Sequence, residues 1–301
     1  MFQDLQNSVT IECTFVPDGP ILVRAQTPGI DPAPADMEFQ RTRRNGRSTV
    51  FLSGSGLKGV LRSHAERLLR SGGRHACDPT KMRREDEGTP LASCGKRRLG
   101  QPQLPDFPHA NQCAACFTFG SLQLAGRFRA VDAYPVDELW EETNRTEVRT
   151  GVGIDRKSQG ASQGVLYDSE VVVGGGFGVR ITGENFSLWQ LGLLLAVLDD
   201  LDRGLVHIGG AKARGMGSVR VTDRRVELAL LGAKPGELAG TRARQNRYDY
   251  GLPSHDVVPV PAGGAPTRRG LFSVFRYEGN DVQALVSALQ PPLESYLQAG
   301  T

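Results

Sequence analysis

The chain has 301 residues, enough for one large or two modest domains, and its 39% hydrophobic content with 37 glycines suits a loop-rich globular protein and excludes a disordered one. A formal net charge of +3 says little about partners, and the local distribution says more. No apolar run approaches the ~20 residues that span a bilayer, and Met1-Phe2-Gln3-Asp4-Leu5 lacks the basic and apolar regions of a secretory signal, so a soluble cytoplasmic protein is expected, with no membrane partner.

Residues 8–16 alternate loosely and are rich in Val, Ile, Thr and Phe, which predicts a first strand. Pro17-Asp18-Gly19-Pro20 is a turn, and Ile21-Leu22-Val23 is expected to continue the sheet. Three prolines and a glycine then forbid regular structure over residues 27–36. Asp31 and Asp36 sit in this loop, where a carboxylate is either displayed for chemistry or used as a turn residue. Arg41, Arg43, Arg44 and Arg47 cluster around an Asn45-Gly46 hairpin turn; such a cluster is a solvated surface or a nucleic-acid contact.

Ser53-Gly54-Ser55-Gly56-Leu57-Lys58-Gly59-Val60-Leu61-Arg62 follows a short apolar run and opens a helix. Leu57, Val60, Leu61, Ala65, Leu68 and Leu69 recur at helical spacing, Ser53 or Ser55 can cap, and Ser71-Gly72-Gly73 ends the helix. Free N–H groups at such a start, with Lys58 and Arg62 beside them, suit a phosphate, and the alternative is an ordinary capped amphipathic helix. The Walker spacing is absent, so nucleotide hydrolysis is not indicated.

Residues 74–120 show no secondary-structure pattern, and a structureless stretch of that length needs another source of order. Cys77, Cys94 and the pair Cys113-Ala114-Ala115-Cys116 offer one: four thiolates with a Cys-x-x-Cys half-site suit a tetrahedral structural zinc site, and the alternative is free thiols, with the Cys-x-x-Cys spacing also shared by redox motifs. His75 and His109 are spare ligands, and Cys13 reads as a buried apolar residue. Five cysteines argue against a disulfide framework. Lys96, Arg97 and Arg98 form a second basic cluster.

Residues 126–132 predict a strand, and residues 145–170 a long protruding hairpin, polar at its tip. Strand 166–173, the turn Gly174-Gly175-Gly176 and strand 177–182 predict a second hairpin. Ser187 caps a helix over residues 188–202, and Val206-His207-Ile208 reads as a short strand in which His207 packs. The basic loop Gly209-Gly210-Ala211-Lys212-Ala213-Arg214-Gly215-Met216-Gly217 leads into a strand at 218–222. Beyond it lie strands at 257–260 and 271–277 and a terminal helix from 281 to about 297, interrupted at Pro291-Pro292.

Stripped of insertions, the order is strand, helix, two strands, helix, strand, so the expected class is α+β with a ferredoxin-like core of the RNA-recognition type, a protruding thumb hairpin and a zinc-stapled insertion. The helix-opening Gly/Ser motif resembles the signature of the RAMP superfamily, the repeat-associated proteins of CRISPR effector complexes. Ile154-Asp155-Arg156 with Gly164-Val165-Leu166-Tyr167-Asp168-Ser169-Glu170 is similar to that family's thumb, and residues 209–217 resemble its glycine-rich loop. The best fit is a type III backbone subunit, and the four-Cys insertion resembles type III-D members. The family core would cover residues 1–222, with the zinc insertion at 71–120 and the thumb at 145–170, leaving 223–301 as a C-terminal extension.

The resemblance implies binding of CRISPR RNA alongside other effector subunits, with Ser55, Lys58, Arg62, Lys212 and Arg214 on guide phosphates and Arg156 in the thumb. It also implies an acidic residue upstream of the Gly/Ser motif that cuts guide-paired single-stranded target RNA with Mg²⁺ or another divalent cation. Asp36 matches by position, with Asp31 as the runner-up; Glu38 stands where the family often has Pro. The alternatives are a non-catalytic guide scaffold and a guide-processing endonuclease, which would use a histidine general base. A zinc-stabilised RNA-binding module outside CRISPR systems would not explain three motifs in the family's order.

Overall fold

A computed structural model describes residues 4–25, 35–81, 93–94, 112–122, 124–241 and 256–299. Asp31, His109 and the Lys96–Arg98 cluster lie outside the described residues. Strand β1 (Asn7–Pro17) alternates as its sequence predicts: Val9, Ile11, Cys13 and Phe15 point into the core, and Glu12 points out. Burial pushes the Cys13 thiol up to about 12, as for a residue used as apolar filling. A small hairpin, β2 (Arg41–Arg44) and β3 (Arg47–Val50), turns at Asn45 and Gly46 with positive φ and feeds helix α1 (Gly54–Ser71).

Helix α1 buries Leu57, Leu61, Ala65 and Leu69, the stripe its spacing predicts. Ser53 accepts from the Gly56 N–H, and Gly72 closes the other end. A short helix, α2 (Ala114–Phe119), follows the Cys-x-x-Cys pair, with the Cys113 side chain at its cap. Strands β4 (Phe128–Ala130) and β5 (Tyr134–Pro135) replace the single strand expected at 126–132. Helix α3 (Trp140–Asn144) then leads into the hairpin of β6 (Thr146–Ile154) and β7 (Ala161–Val172).

The return is through β8 (Phe177–Glu184), α4 (Leu188–Asp202) and β9 (Val219–Leu231). Ser187 and Gln190 set the start of α4: the Gln190 Oε1 accepts from the Ser187 N–H at 2.9 Å. The remainder forms β10 (Glu237–Ala239), β11 (Val257–Pro259), β12 (Thr267–Arg269), β13 (Phe272–Glu278) and α5 (Asn280–Gln298).

The main sheet runs β12-β13-β9-β1-β8-β4, with β5 also on β8, and every pairing between these strands is antiparallel. Both β9 and β8 are antiparallel to β1, so they are parallel to each other with β1 between them. Likewise β1 and β4 are parallel with β8 between them. Helices α1, α4 and α5 cover one face, with α4 touching both others. The other face is open, and its outward residues pair among themselves: Arg180 with Glu12 at 3.6 Å, Arg276 with Glu227 at 2.9 Å and Arg225 with Glu278 at 3.8 Å.

Other expectations change too. No second hairpin forms across Gly174–Gly176, because β7 pairs with β6 and β8 pairs with β1. Ile21 does not extend the main sheet; it exchanges both backbone hydrogen bonds with Val172 at the hairpin's base. Residues 206–208 form no strand, and the half-buried His207 lies in a turn region where only Ile208 bonds across, to Gly217 O at 2.9 Å. Helix α5 runs through Pro291 and Pro292 without a break, because Leu285 and Leu289 before them and Leu293, Tyr296 and Leu297 after them pack on the same core. Strand β9 continues across residues 222 and 223, and α5 packs on α4, where Tyr296 stacks on Trp189 with centroids 3.7 Å apart. No described helix is long and apolar enough to cross a membrane.

Candidate nucleic-acid interface and metal centre

The cysteines meet. The Sγ atoms of Cys77, Cys94, Cys113 and Cys116 all lie within 4.8 Å of one another, and the first, third and fourth are buried. None is in a disulfide. Thiolates around a tetrahedral zinc at ~2.3 Å stand roughly 3.8 Å apart, so the set fits the ion. The Cys77 and Cys116 sulfurs are 3.4 Å apart, and backbone N–H groups of Cys77 and Cys116 point at the Cys113 sulfur from 3.4 and 3.5 Å. Hydrogen bonds from the Cys116, Cys77 and Cys94 thiols push the Cys113 thiol down, while the Cys116 thiol is pushed up by its contacts with Cys113, Cys77 and Cys94. Four thiols this close cannot all ionise without a cation among them. His75 is exposed and is no part of the cluster.

The four-cysteine insertion builds one wall of a cleft of about 520 Å³. Its floor and other wall are Ser55, Lys58, Gly59 and Arg62 of α1, facing Pro79, Ser93, Cys116, residues 119–122 and residues 124–126. Ser55 is exposed and Lys58 half-buried. Burial, and then the charges of Arg62 and Arg129, hold the Lys58 ammonium below its usual range. Thus three of the side chains assigned to phosphate from sequence share one cleft.

One of them differs in use. The Arg62 guanidinium turns inward: Nε donates to Glu66 Oε1 at 2.8 Å, Nη1 to Gly120 O at 2.8 Å and Nη2 to Cys116 Sγ at 3.3 Å. The helix start is also less open than expected. Asp132 accepts from the Gly54 N–H at 2.7 Å and Ser53 from the Gly56 N–H at 3.3 Å, leaving Ser55 the first-turn donor without a described partner. Sequence reading missed Asp132 because this cap comes from a residue far along the chain. Gly54 is required by the same contact, since a Cβ there would sit 2.4 Å from Ala130 O.

A second surface forms where the chain crosses itself at residues 20–25. Pro20 O accepts from Gly217 N–H at 2.8 Å and Leu22 O from Gly210 N–H at 2.7 Å, seating the glycine-rich loop. Gly217 has φ +91, and a Cβ would strike Ile208 O. Ala211 holds φ +52 without being glycine, so the loop carries backbone strain. On its other side the segment pairs with the hairpin base through Ile21, and with residues 38–40 through Val23 O and the Ala25 N–H.

Asp36 lies at this crossing and is exposed. Its Oδ2 accepts from the Asp168 N–H at 3.0 Å, and the Met37 N–H donates to Asp168 O at 3.0 Å. Glu170 fixes the same junction: it accepts from Thr146 Oγ1 at 2.6 Å, from the Phe39 N–H at 2.8 Å and from Arg41. Burial alone would raise the Glu170 carboxyl, but these hydrogen bonds and the Arg41 charge leave it lowered. Arg214 reaches from the glycine-rich loop to the Tyr167 hydroxyl and lies 5.0 Å from that ring's centre, while Lys212 beside it is exposed. Tyr167 stands in the thumb-like segment, but its partner Arg214 lies 47 residues further on, a pairing that no local pattern shows.

The hairpin pairs only with itself beyond this base and projects from the main sheet. Val148, Val152, Ile154 and Leu166 are exposed on it. Asp155 ties its tip, accepting from the N–H groups of Lys157 at 2.9 Å and Ser158 at 2.7 Å, and these bonds lower its carboxyl. Arg156 is exposed within that turn. Of the arginines at the β2–β3 hairpin, Arg41 binds Glu170 and Arg44 stacks over Tyr134, leaving Arg43 and Arg47 exposed. His64 Nε2 meets Asp200 Oδ2 at 2.6 Å between α1 and α4, where His64 is buried, so it holds helices together. The open sheet face, with its Arg–Glu pairs, offers no row of aromatic residues on β1 or β8 for bases to stack on.

A family model described as the RAMP superfamily matches residues 14–220, and the chain belongs to that family. Membership implies a role in binding CRISPR RNA. No curated protein matches the chain.

Proposed function

We propose that this RAMP-superfamily chain is a guide-binding backbone subunit of a type III CRISPR effector complex, one of the III-D kind, and that it cleaves guide-complementary RNA through Asp36. The observation that carries this reading is the crossing at residues 20–25, which joins the glycine-rich loop, the thumb base and the Asp36 segment into one surface. The strand order supports a ferredoxin-like core, because each of two strand–helix–strand halves encloses a strand of the other.

Guide phosphates would meet Ser55 and Lys58 in the cleft and Lys212 and Arg214 at the glycine-rich loop. Arg156 would sit at the thumb tip, and the exposed Val152, Ile154 and Leu166 on its flanks would separate bases. The protein would read backbone shape while guide–target pairing carries the sequence. Zinc, bound by Cys77, Cys94, Cys113 and Cys116, would be structural.

A divalent cation such as Mg²⁺ would neutralise charge developing on the scissile phosphate. Among the described residues the four cysteines are the only group of three or more potential ligands arranged for a metal. Asp36 would therefore be the main protein ligand, with RNA oxygens completing the set. Asp168 would hold the carboxylate toward the strand through its N–H, and the thumb would splay the nucleotide so that attacking and leaving oxygens line up. A non-catalytic scaffold is the second reading, favoured by the same solitude of Asp36.

The test is guide-RNA affinity against salt for wild-type chain and for Lys58→Ala, Lys212→Ala and Arg214→Ala. Each substitution removes one cation from a phosphate and is expected to reduce the log–log salt slope by about 0.7. Unchanged affinity and slope in all three would refute the assignment of these surfaces to RNA.

A further inference from the structure

We propose that Arg62, Glu66 and Arg70 form the outer shell of the zinc site, and that Arg62 is a positioning residue of that site and not a phosphate contact. The inference rests on the zinc reading of the four cysteines and extends it to residues no metal-ligand pattern includes.

The three side chains stand one helical turn apart on one face of α1. Glu66 Oε1 binds Arg62 Nε at 2.8 Å, and its Oε2 lies 3.5 Å from Arg70 Nη2. Each arginine then reaches a different part of the cysteine cluster. Arg62 Nη2 donates to Cys116 Sγ at 3.3 Å. Arg70 donates from Nε to Ala76 O at 2.8 Å and from Nη2 to Cys77 O at 3.2 Å. The ladder therefore grips two of the three chain segments that the metal would join, one through a ligand sulfur and one through a ligand's own carbonyl.

Charge explains why such a ladder is built there. Zinc on four thiolates carries a net charge of about −2, and a buried anionic cluster needs donors aimed at its sulfurs. The Arg62 side chain is only 15% exposed and that of Glu66 9%, so this pairing is screened weakly by solvent. The Glu66 carboxylate orients Arg62, whose remaining nitrogen bonds Gly120 O at 2.8 Å. Gly120 and Cys116 both line the cleft that Lys58 and Ser55 face. Metal binding thus fixes the wall of a cleft whose opposite side is the helix start.

The test separates a metal tie from a phosphate contact. Zinc affinity is measured by chelator competition on the full chain, and Co²⁺ replaces zinc to report the cobalt–thiolate absorption band. RNA affinity is measured against salt with zinc saturating. For Arg62→Lys, which keeps a cation but not the fork, and Arg62→Gln, zinc affinity is expected to fall about 10- to 100-fold, with a shifted cobalt band and an unchanged salt slope. Unchanged zinc affinity and cobalt spectrum, or a slope reduced by about 0.7 in Arg62→Gln, overturns the inference. Should the Arg62 variants not fold, Glu66→Gln removes the charge that orients both arginines and is expected to weaken zinc in the same assay; unchanged affinity there also overturns it. Wild-type protein that binds neither metal overturns the zinc reading and the inference with it, whereas wild-type binding with insensitive variants overturns the inference alone.

Discussion

The Asp168 N–H donates to the Asp36 carboxylate at 3.0 Å, so the candidate catalytic residue is held by the base of the thumb. The bond is exposed, and Asp36 Oδ1 has no partner among the described residues. Asp36→Ala is therefore expected to cost less than about 1 kcal/mol of stability, a change of a few degrees at most in the unfolding midpoint. Circular dichroism melts check this, and a large drop would show that Asp36 is structural.

Two glycines of the same motif are expected to behave oppositely. A Cβ on Gly54 would lie 2.4 Å from Ala130 O and 2.8 Å from Val131 C, both backbone, so Gly54→Ala is expected to destabilise by about 1–3 kcal/mol. Gly59 is mid-helix with nothing within 4 Å of its Cβ position, so Gly59→Ala is expected to stabilise by about 0.5–1 kcal/mol. Denaturant unfolding of the two variants checks both signs.

Acid is expected to loosen the thumb base. The Glu170 carboxyl is lowered in the folded chain, so its contribution is full above the ordinary glutamate value of about 4.3 and fades as pH falls through the lower folded value. Glu170→Gln should be less stable than wild type at neutral pH, and the gap should close below about pH 4. Stability against pH for both proteins checks this; a gap that widens in acid would reverse the assignment.

Removing the metal is expected to unfold the insertion. One zinc per chain should copurify, and chelation or Cys113→Ser should lower the unfolding midpoint and weaken guide binding, because the cleft wall includes Cys116. Zinc affinity should fall as pH drops, since protons compete for the thiolates. Metal analysis showing no zinc in pure protein would contradict the site.

Much of this was legible because the signals are local. Helix α1 follows its apolar spacing and its Ser53 cap, and the cysteines announce a ligand set by type and spacing. What was not legible depends on residues far apart in the chain. Periodicity places Arg62 on a half-buried face of α1, but only the docked insertion shows that its guanidinium meets Cys116. The Asp132 cap and the Arg214–Tyr167 contact likewise join separate segments. Pro291 and Pro292 argued for a break on local grounds, and packing of α5 against α4 overrides it. The same packing, with Trp189 on Tyr296 and Arg74 over the Tyr296 ring, ties the C-terminal part to the core through residues that no local pattern connects.

The most direct measurement is cleavage of guide-complementary RNA by the assembled complex with Mg²⁺, comparing wild type with Asp36→Ala in this chain. Loss of one cut, or of a regularly spaced set of cuts, with guide and target binding intact is the expected result. An unchanged pattern would contradict catalysis by Asp36; the same assay on Asp31→Ala would then decide between that residue and a scaffold role for the whole chain.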